Sequence, residues 1–340
     1  MSKLNSFQFA SVMDTLAHQT PPPKTKQAPI PAGVITVGKV VDGLPNERVG
    51  IRAAYHSEKG KRPNQEDTVT VITDLSSLGA ALPRPYLYQK FAFFGVYDGH
   101  GGCGASKMLQ RTLHAKLAEA REFFTSMGGA ATEACEKADR EICGELRSME
   151  DDSGSTGVFL VVDGRKKELA VGNVGDSRCV LSRGGTAIEL SKDHRVARES
   201  EKVRVLKNGC RIRDGRVNGV LAVTRSFGDC LHKEGGGKGQ VGLDAVPEIR
   251  VESVMERDEF VILATDGLWD VMGSQQVVNF VRLGLAKHRK VKSIRKELVR
   301  EALKVGSIDN VSCVVVMLNQ DEKKEEAAAG GGGAGGGGGA

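Results

Sequence analysis

The chain has 340 residues, 40% of them hydrophobic and 27% charged, and carries a formal net charge of +5. This composition fits a soluble globular protein with one large domain or two small ones, and so mild a positive balance leaves no electrostatic footprint for nucleic acid. No apolar run is long enough to cross a bilayer, the stretch Met1–Thr20 lacks the continuous hydrophobic core of a secretory signal, and Ser2 in place of glycine removes a myristoylation site, so no membrane association is expected. The seven cysteines include no CxxC pair, and several, such as Cys179 and Cys313, fall inside apolar runs. They read as small core residues of a reducing compartment, cytoplasmic and/or nuclear, and not as a disulfide frame or a zinc site.

Residues 1–48 contain PPPKTKQAPIP and read as a flexible extension. From Val49 the pattern changes, as β-branched residues alternate with turn signals and predict a hairpin that places Glu66 and Asp67 just before a strand. A proline-rich loop, Leu82–Tyr86, leads to the apolar run Phe91–Tyr97, which reads as a buried strand and stops at Asp98-Gly99-His100-Gly101-Gly102. Ala105, Leu109, Leu113 and Leu117, then Ala131, Cys135, Ala138, Ile142 and Leu146, recur at helical spacing and predict two amphipathic helices. Strand-like segments return at Ser153–Val162, Lys167–Ser182, Phe260–Met272 and Asn310–Leu318. Helices are expected over Ser200–Leu206, stopped by Asn208-Gly209, and over Ser274–Leu285 and Ser293–Leu303. Nothing between Val49 and Leu318 looks like an interdomain linker, so 49–318 is expected to be one domain. Residues 319–340 end in polyglycine, which buries no apolar surface to offset its ordering entropy, and are expected to be disordered.

Carboxylates recur where strands meet turns. Asp98 follows FAFFGVY, Asp176 follows LAVGNVG, Asp266 follows FVILAT, Asp309 precedes the last strand, and Glu66-Asp67 precede Thr68. Any one of them could cap a turn or a helix. Converged at one end of a sheet, they would repel one another unless cations bind there, and an oxygen-only ligand set suits magnesium or manganese better than zinc. Two such ions about 3.5–4 Å apart can clamp a phosphoryl group and acidify a water.

The motifs KRPNQED, VYDGHGG, SGSTG, VGNVGDSR, LSKDH, RVNGVLAVTRSFGD, VPEI, ATDGLWDVM and SIDNVSCVVV follow in an order that resembles the metal-dependent Ser/Thr protein phosphatases (type 2C, the PPM family). The resemblance covers Val49 to Leu318. It implies an α+β fold, a four-layer α-β-β-α sandwich of two antiparallel sheets flanked by helix pairs, with a dinuclear Mg or Mn site at one end. It implies hydrolysis of phosphoserine and phosphothreonine on protein substrates by in-line attack of metal-bound hydroxide. Asp98 would bridge the two metals, Asp266 and Asp309 would complete one shell, and Glu66 with the Gly99 carbonyl would serve the other. Asp67 would hold metal-bound water. Arg62 would grip the substrate phosphate through its planar fork, and His100 would act as general acid toward the leaving oxygen. Asp176 and Asp270 would contribute to a weaker third metal site found in some members.

Other readings stay open at single residues. Arg62 could be a solvated turn residue, His100 could only bond its own loop, and Asp176 could pair structurally with Arg178. Arg225 and Asp229 are read as a structural pair near the site. Ser155 and Thr156 lack a GxSxG elbow and are assigned to sheet packing and a turn. The basic run Lys287–Lys296 is assigned to a solvated helix face before a nuclear address or docking patch. The glycine-rich segment after SFGD is expected to be a mobile loop beside the site. The only tryptophan is Trp269, so the flap tryptophan of hormone-responsive plant members has no counterpart. A non-catalytic phosphoprotein-binding or scaffold relative is the alternative, although Glu66, Asp98, Asp266 and Asp309 are all in place. A dinuclear phosphodiesterase or nuclease would want histidine-rich metal motifs and a basic groove. Monomer is the default assembly.

Overall fold

Seven consecutive buried residues, Phe91–Tyr97, can be accommodated only by a strand covered on both faces. Phe91, Phe93 and Tyr97 pack into a cluster built with helices, while Ala92, Phe94 and Val96 pack into a second cluster between two sheets. The computed structural model describes residues 50–82, 85–233 and 242–318. The expected N-terminal extension, the glycine-rich tail and the central part of the loop after SFGD lie outside those residues.

In chain order the first elements are β1 (Arg52–Glu58), β2 (Thr68–Ile72), β3 (Phe91–Tyr97) and β4 (Gly99–His100). Helices α1 (Gly104–Glu119) and α2 (Met127–Ser148) follow, then β5 (Gly154–Ser155), β6 (Gly157–Asp163), β7 (Glu168–Val174), β8 (Arg178–Arg183) and β9 (Thr186–Glu189). Next come α3 (Glu199–Lys207), β10 (Ile212–Arg213), β11 (Arg216–Val217), β12 (Phe227–Gly228) and the short α4 (Cys230–Lys233). The chain continues through β13 (Glu248–Ser253), β14 (Asp258–Ala264), α5 (Asp266–Trp269), α6 (Ser274–Ala286), α7 (Val291–Lys304) and β15 (Val311–Met317).

One five-stranded sheet runs β13-β7-β6-β3-β2 and the other β1-β15-β14-β8-β9, with antiparallel pairing throughout. Period-two alternation sorts each strand between layers. On β14, Val261 and Leu263 face the other sheet, whereas Phe260, Ile262 and Ala264 pack with α6 and α7. The first sheet is covered by α1 and α2. The buried stripe of α2, with Ala130, Ala131, Ala134, Cys135 and Ala138, is made of small residues that let the helix lie close, and its start is capped by Ser126, whose side chain accepts from Gly129 N. The result is the expected α-β-β-α sandwich. Its longer helices match the predicted ones within a few residues, including α3, which ends at Asn208-Gly209. The short α4 and α5 were not expected, and α5 interrupts the strand-like segment Phe260–Met272 after β14. The hairpin expected after Val49 does not form, since β1 and β2 join different sheets. The basic run is exposed over Lys287–Lys290, while Ile294 and Arg295 turn inward on α7. Among the described residues no helix is long and apolar enough to cross a membrane.

The cysteine expectation needs a correction. Cys143 on α2 and Cys230 at the start of α4 form a disulfide, with their Cα atoms 5.6 Å apart at a sequence separation of 87. Five cysteines remain free, four of them buried. The pair belongs to a wider attachment of α4 to α2, because Asp139 accepts from Gly228 N at 2.9 Å and from Lys233 Nζ at 2.5 and 2.6 Å. So distant a pairing is invisible without the fold.

Closing a long loop restricts the unfolded chain, a contribution of about 2–4 kcal/mol. Reduction with dithiothreitol should therefore lower the calorimetric melting temperature by roughly 5–10 °C with far-ultraviolet circular dichroism retained. An unchanged melting temperature would remove this bond from the account of stability.

Candidate active site

The acidic turns converge at one end of the sandwich because antiparallel neighbours begin where their partners finish. Thr68, the first residue of β2, is registered with Tyr97, the last of β3, so Glu66-Asp67 meet Asp98. Ala264 at the end of β14 is registered with Cys313 near the start of β15, which brings Asp266 toward Asp309. Asn310 ties these pieces together: its Oδ1 accepts from Glu66 N at 2.8 Å, and its Nδ2 donates to the carbonyls of Lys59 and Asn64 at 2.8 and 2.9 Å. The SGSTG segment fixes the Asp98 backbone, as Thr156 N and Ser155 Oγ both donate to the Asp98 carbonyl, at 2.9 and 3.1 Å. A Cβ on Gly99 would stand 2.4 Å from the Glu66 carbonyl oxygen, so glycine is what lets the two turns touch.

A cavity of about 920 Å³ opens over this floor and is lined by Arg62, Glu66, Asp98, Gly99, His100 and Asp309, among others. Its carboxylates are electrostatically frustrated. Burial, then the charges of Asp67, Asp266, Asp176 and Asp309, hold Asp98 far above the usual aspartate range. Burial, followed by Asp176 and Asp270, pushes Asp266 up to about 8, with Arg195 pulling the other way. Burial pushes Asp67 up to about 7, against hydroxyls from Ser312 and Thr265 and with the help of Asp309. Asp67 Oδ1 is buried and, among the described residues, has no hydrogen-bond partner.

Crowded, desolvated oxygen donors of this kind fit hard divalent cations, and Asp98, Asp266, Asp309, Glu66 and the Gly99 carbonyl are the groups that could hold them. No three acidic, histidine or cysteine side chains among the described residues already stand as a coordination cluster. Arginines are interposed instead. Arg62 Nη2 donates to Asp309 Oδ2 at 2.6 Å. Arg195 donates to Asp176 at 2.8 Å, Asp266 at 3.1 Å and Asp270 at 2.9 Å.

His100 has a partner that the sequence did not announce. Strands β4, β5 and β12 form a three-stranded ribbon that carries His100 next to Asp229, whose Oδ2 lies 2.8 Å from His100 Nε2 and accepts from Ser226 Oγ at 2.5 Å. Gly154 between them has no room for a Cβ, which would meet Asp229 Oδ2 at 2.2 Å and His100 Nε2 at 2.4 Å. Burial pulls the His100 pKa down, but the hydrogen bond and charge of Asp229, with Asp176 and Glu66, outweigh it and leave the pKa raised.

Two expected pairs are therefore corrected. Arg225 pairs with Glu201, not Asp229. Asp176 pairs with Arg195, whereas Arg178 takes Asp193 at 2.7 Å. In both cases the near neighbour in sequence gives way to a residue of the segment 195–201, which the fold lays against the site. The signal available for Asp229 was its turn: it follows a glycine and adopts φ 48, a left-handed conformation that aspartate tolerates and that often marks a functional turn.

Comparison with known proteins agrees with this geometry. The family profile described as Protein phosphatase 2C matches residues 53–311. The "Probable protein phosphatase 2C 54" of Oryza sativa subsp. japonica is 38% identical over 274 residues, 78% of this chain and 72% of that protein. The "Probable protein phosphatase 2C 27" of Arabidopsis thaliana is 39% identical over 266 residues, 78% of this chain and 68% of that protein. Among solved structures, the serine-threonine phosphatase 2C of Toxoplasma gondii superposes with a TM-score of 0.68 at 25% identity, covering 82% of this chain and 98% of that one.

Asp67 and Asp266 keep protons to about 7 and about 8 in the folded chain, against 3.8 for an ordinary aspartate. Between those limits the folded state binds more protons than the unfolded state, so metal-free protein should lose stability as pH rises. In EDTA the melting temperature should fall by roughly 5 °C or more from pH 5 to pH 8, and saturating manganese should abolish the slope. A flat profile in EDTA would contradict the electrostatic account. For His100, Asp229→Asn removes the charge that raises it. Its titration midpoint, followed by proton NMR, should drop by roughly one pH unit.

Proposed function

The chain belongs to the protein phosphatase 2C family, and on that premise we propose that it is an active Mg- or Mn-dependent phosphatase of phosphoserine and phosphothreonine in proteins. The observation that carries the proposal is the meeting, in one cavity, of the frustrated carboxylates with Arg62 and His100. All of these groups come from a single chain, which supports a monomer as the working unit. The five free cysteines favour a cytoplasmic or nuclear setting, and the Cys143–Cys230 disulfide weighs against it.

Two divalent ions, when bound by Asp98, Asp266, Asp309, Glu66 and the Gly99 carbonyl, would supply Lewis-acid charge and a more acidic water. The rest is done by side chains of the chain itself. Arg62, exposed at the rim and braced by Asp309, receives the substrate phosphate with its guanidinium fork. His100 holds a proton on a ring nitrogen for the departing serine or threonine oxygen. Asp229 orients the imidazole and keeps it protonated at higher pH, as its charge favours the imidazolium. Ser155 and Thr156 hold the Asp98 backbone and take no covalent role, since their hydroxyls are committed to the main chain and to Ser177. The floor is acidic, so a phosphate reaches it only once cations have reversed the local charge; metal loading must precede substrate binding.

Purified protein should release phosphate from a phosphothreonine peptide with manganese, and both EDTA and Asp98→Ala should lower the rate by at least ~10³-fold, the scale of losing a principal electrostatic stabiliser. Manganese binding without turnover of any phosphopeptide would overturn the proposal in favour of a phosphoprotein-binding relative.

A further inference from the structure

The corner of the site formed by Asp176, Asp266 and Asp270 differs from the rest of the acidic floor. Among the described residues Asp98 and Asp67 form no ion pair and Asp309 meets a single guanidinium nitrogen, Arg62 Nη2, whereas at this corner one guanidinium, that of Arg195, reaches three carboxylates. Nε donates to Asp176 Oδ2 at 2.8 Å, and Nη2 donates to Asp266 Oδ2 at 3.1 Å and to Asp270 Oδ1 at 2.9 Å. One planar guanidinium thus spans carboxylates from the β7–β8 turn and from both ends of α5. Asp176 is almost fully buried, while Arg195 is only 35% exposed in its side chain. The backbone is pinned as well, because Arg195 forms an antiparallel bridge with Val223 and the preceding His194 N donates to the Gly175 carbonyl at 2.9 Å.

A divalent ion held by these carboxylates would need their oxygens at about 2.0–2.6 Å from its centre. The guanidinium nitrogens already lie just beyond that distance from three of the same oxygens, so ion and guanidinium exclude each other. The comparison of charges runs in the same direction. Arginine is weakly hydrated, always charged and preorganised for several carboxylate oxygens, whereas magnesium gives up water reluctantly and three aspartates that must first release an arginine are a poor exchange.

We propose that Arg195 is the resident cation of the Asp176–Asp266–Asp270 corner, filling the place that a third divalent ion would take, so that the chain binds two ions and not three. The inference rests on the two-ion reading of Asp98, Asp309 and Glu66. It departs from the expectation that Asp176 and Asp270 serve a metal: here they serve a side chain. It also gives Arg195 a task in the site, as it leaves Asp266 one oxygen for the ion shared with Asp309 and neutralises the other.

The test is the number of manganese ions bound per full-length chain, from isothermal titration and from electron paramagnetic resonance of the unbound ion. Wild type should bind two, and Arg195→Ala and Arg195→Gln should each bind a third, more weakly by ~10-fold or more, which is lost again when Asp270→Asn is added. Three ions in the wild type would overturn the assignment of Arg195 alone, as would a count of two in both variants. No bound ion in the wild type would overturn the two-ion reading beneath it. If both variants fail to fold, the wild-type count still decides: three ions overturn the filled corner, and fewer than two overturn the two-ion reading beneath it.

Discussion

Repulsion among desolvated carboxylates at one end of the sandwich is the constraint on which the rest of the structure depends. Burial and like charge raise the proton affinity of Asp67, Asp98, Asp176 and Asp266, and the charge of Asp309 adds to the effect on Asp67, Asp98 and Asp266. An unsupported loop would relieve such repulsion by moving apart. The turns of Asp98, Asp266 and Asp309 cannot, because each is anchored to a strand buried on both faces, and moving one strand would open the packed layers beneath it. The sandwich supplies stability elsewhere so that the acidic end can stay strained, and a site held in this state has a standing affinity for cations.

The same economy governs the groups around the acidic floor. His100 stands on a two-residue strand, too short to be rigid alone, and is held by the ribbon through β5 to β12 and by Asp229. Asp229 in turn belongs to a segment fastened to α2 by Asp139, Lys233 and the Cys143–Cys230 bond. The helix layer therefore reaches the imidazole through a short chain of contacts. Packing on the outer face of the first sheet and the proton affinity of His100 are consequences of one arrangement.

Much of this was legible in the sequence where the signal was local. The all-apolar run before Asp98, the four-residue spacing of Leu109, Leu113 and Leu117, and the Asn208-Gly209 stop each predicted the element that forms. The carboxylates at strand ends predicted their own convergence, since the ends of antiparallel neighbours meet. The pairing of sheets came only with the family resemblance, because period-two alternation is hidden in strands apolar on both faces. Pairings were the weak point. Asp176 with Arg178 and Arg225 with Asp229 were natural guesses from proximity along the chain, yet the partners they meet, Arg195 and Glu201, are brought in by the fold from elsewhere in the sequence. Cys143 and Cys230, like His100 and Asp229, are joined across stretches of sequence that carry no trace of the contact.

Arg195 gives the acidic floor two kinds of compensation with different physical character. At the Asp176–Asp270 corner the positive charge is covalently part of the chain, so its local concentration is fixed and it cannot be removed by a chelator. Around Asp98 no such charge is built in among the described residues, and on the proposed function neutralisation falls to ions from solution. A site compensated only by its own arginines would be stable and unable to take a phosphate, since every positive donor would be spent on carboxylates. One compensated only by ions would have all its acidic groups unopposed whenever the ions left. Dividing the task keeps part of the floor partly compensated by a charge that cannot leave, and leaves the part nearest Arg62 and His100 to be charged by ions on demand.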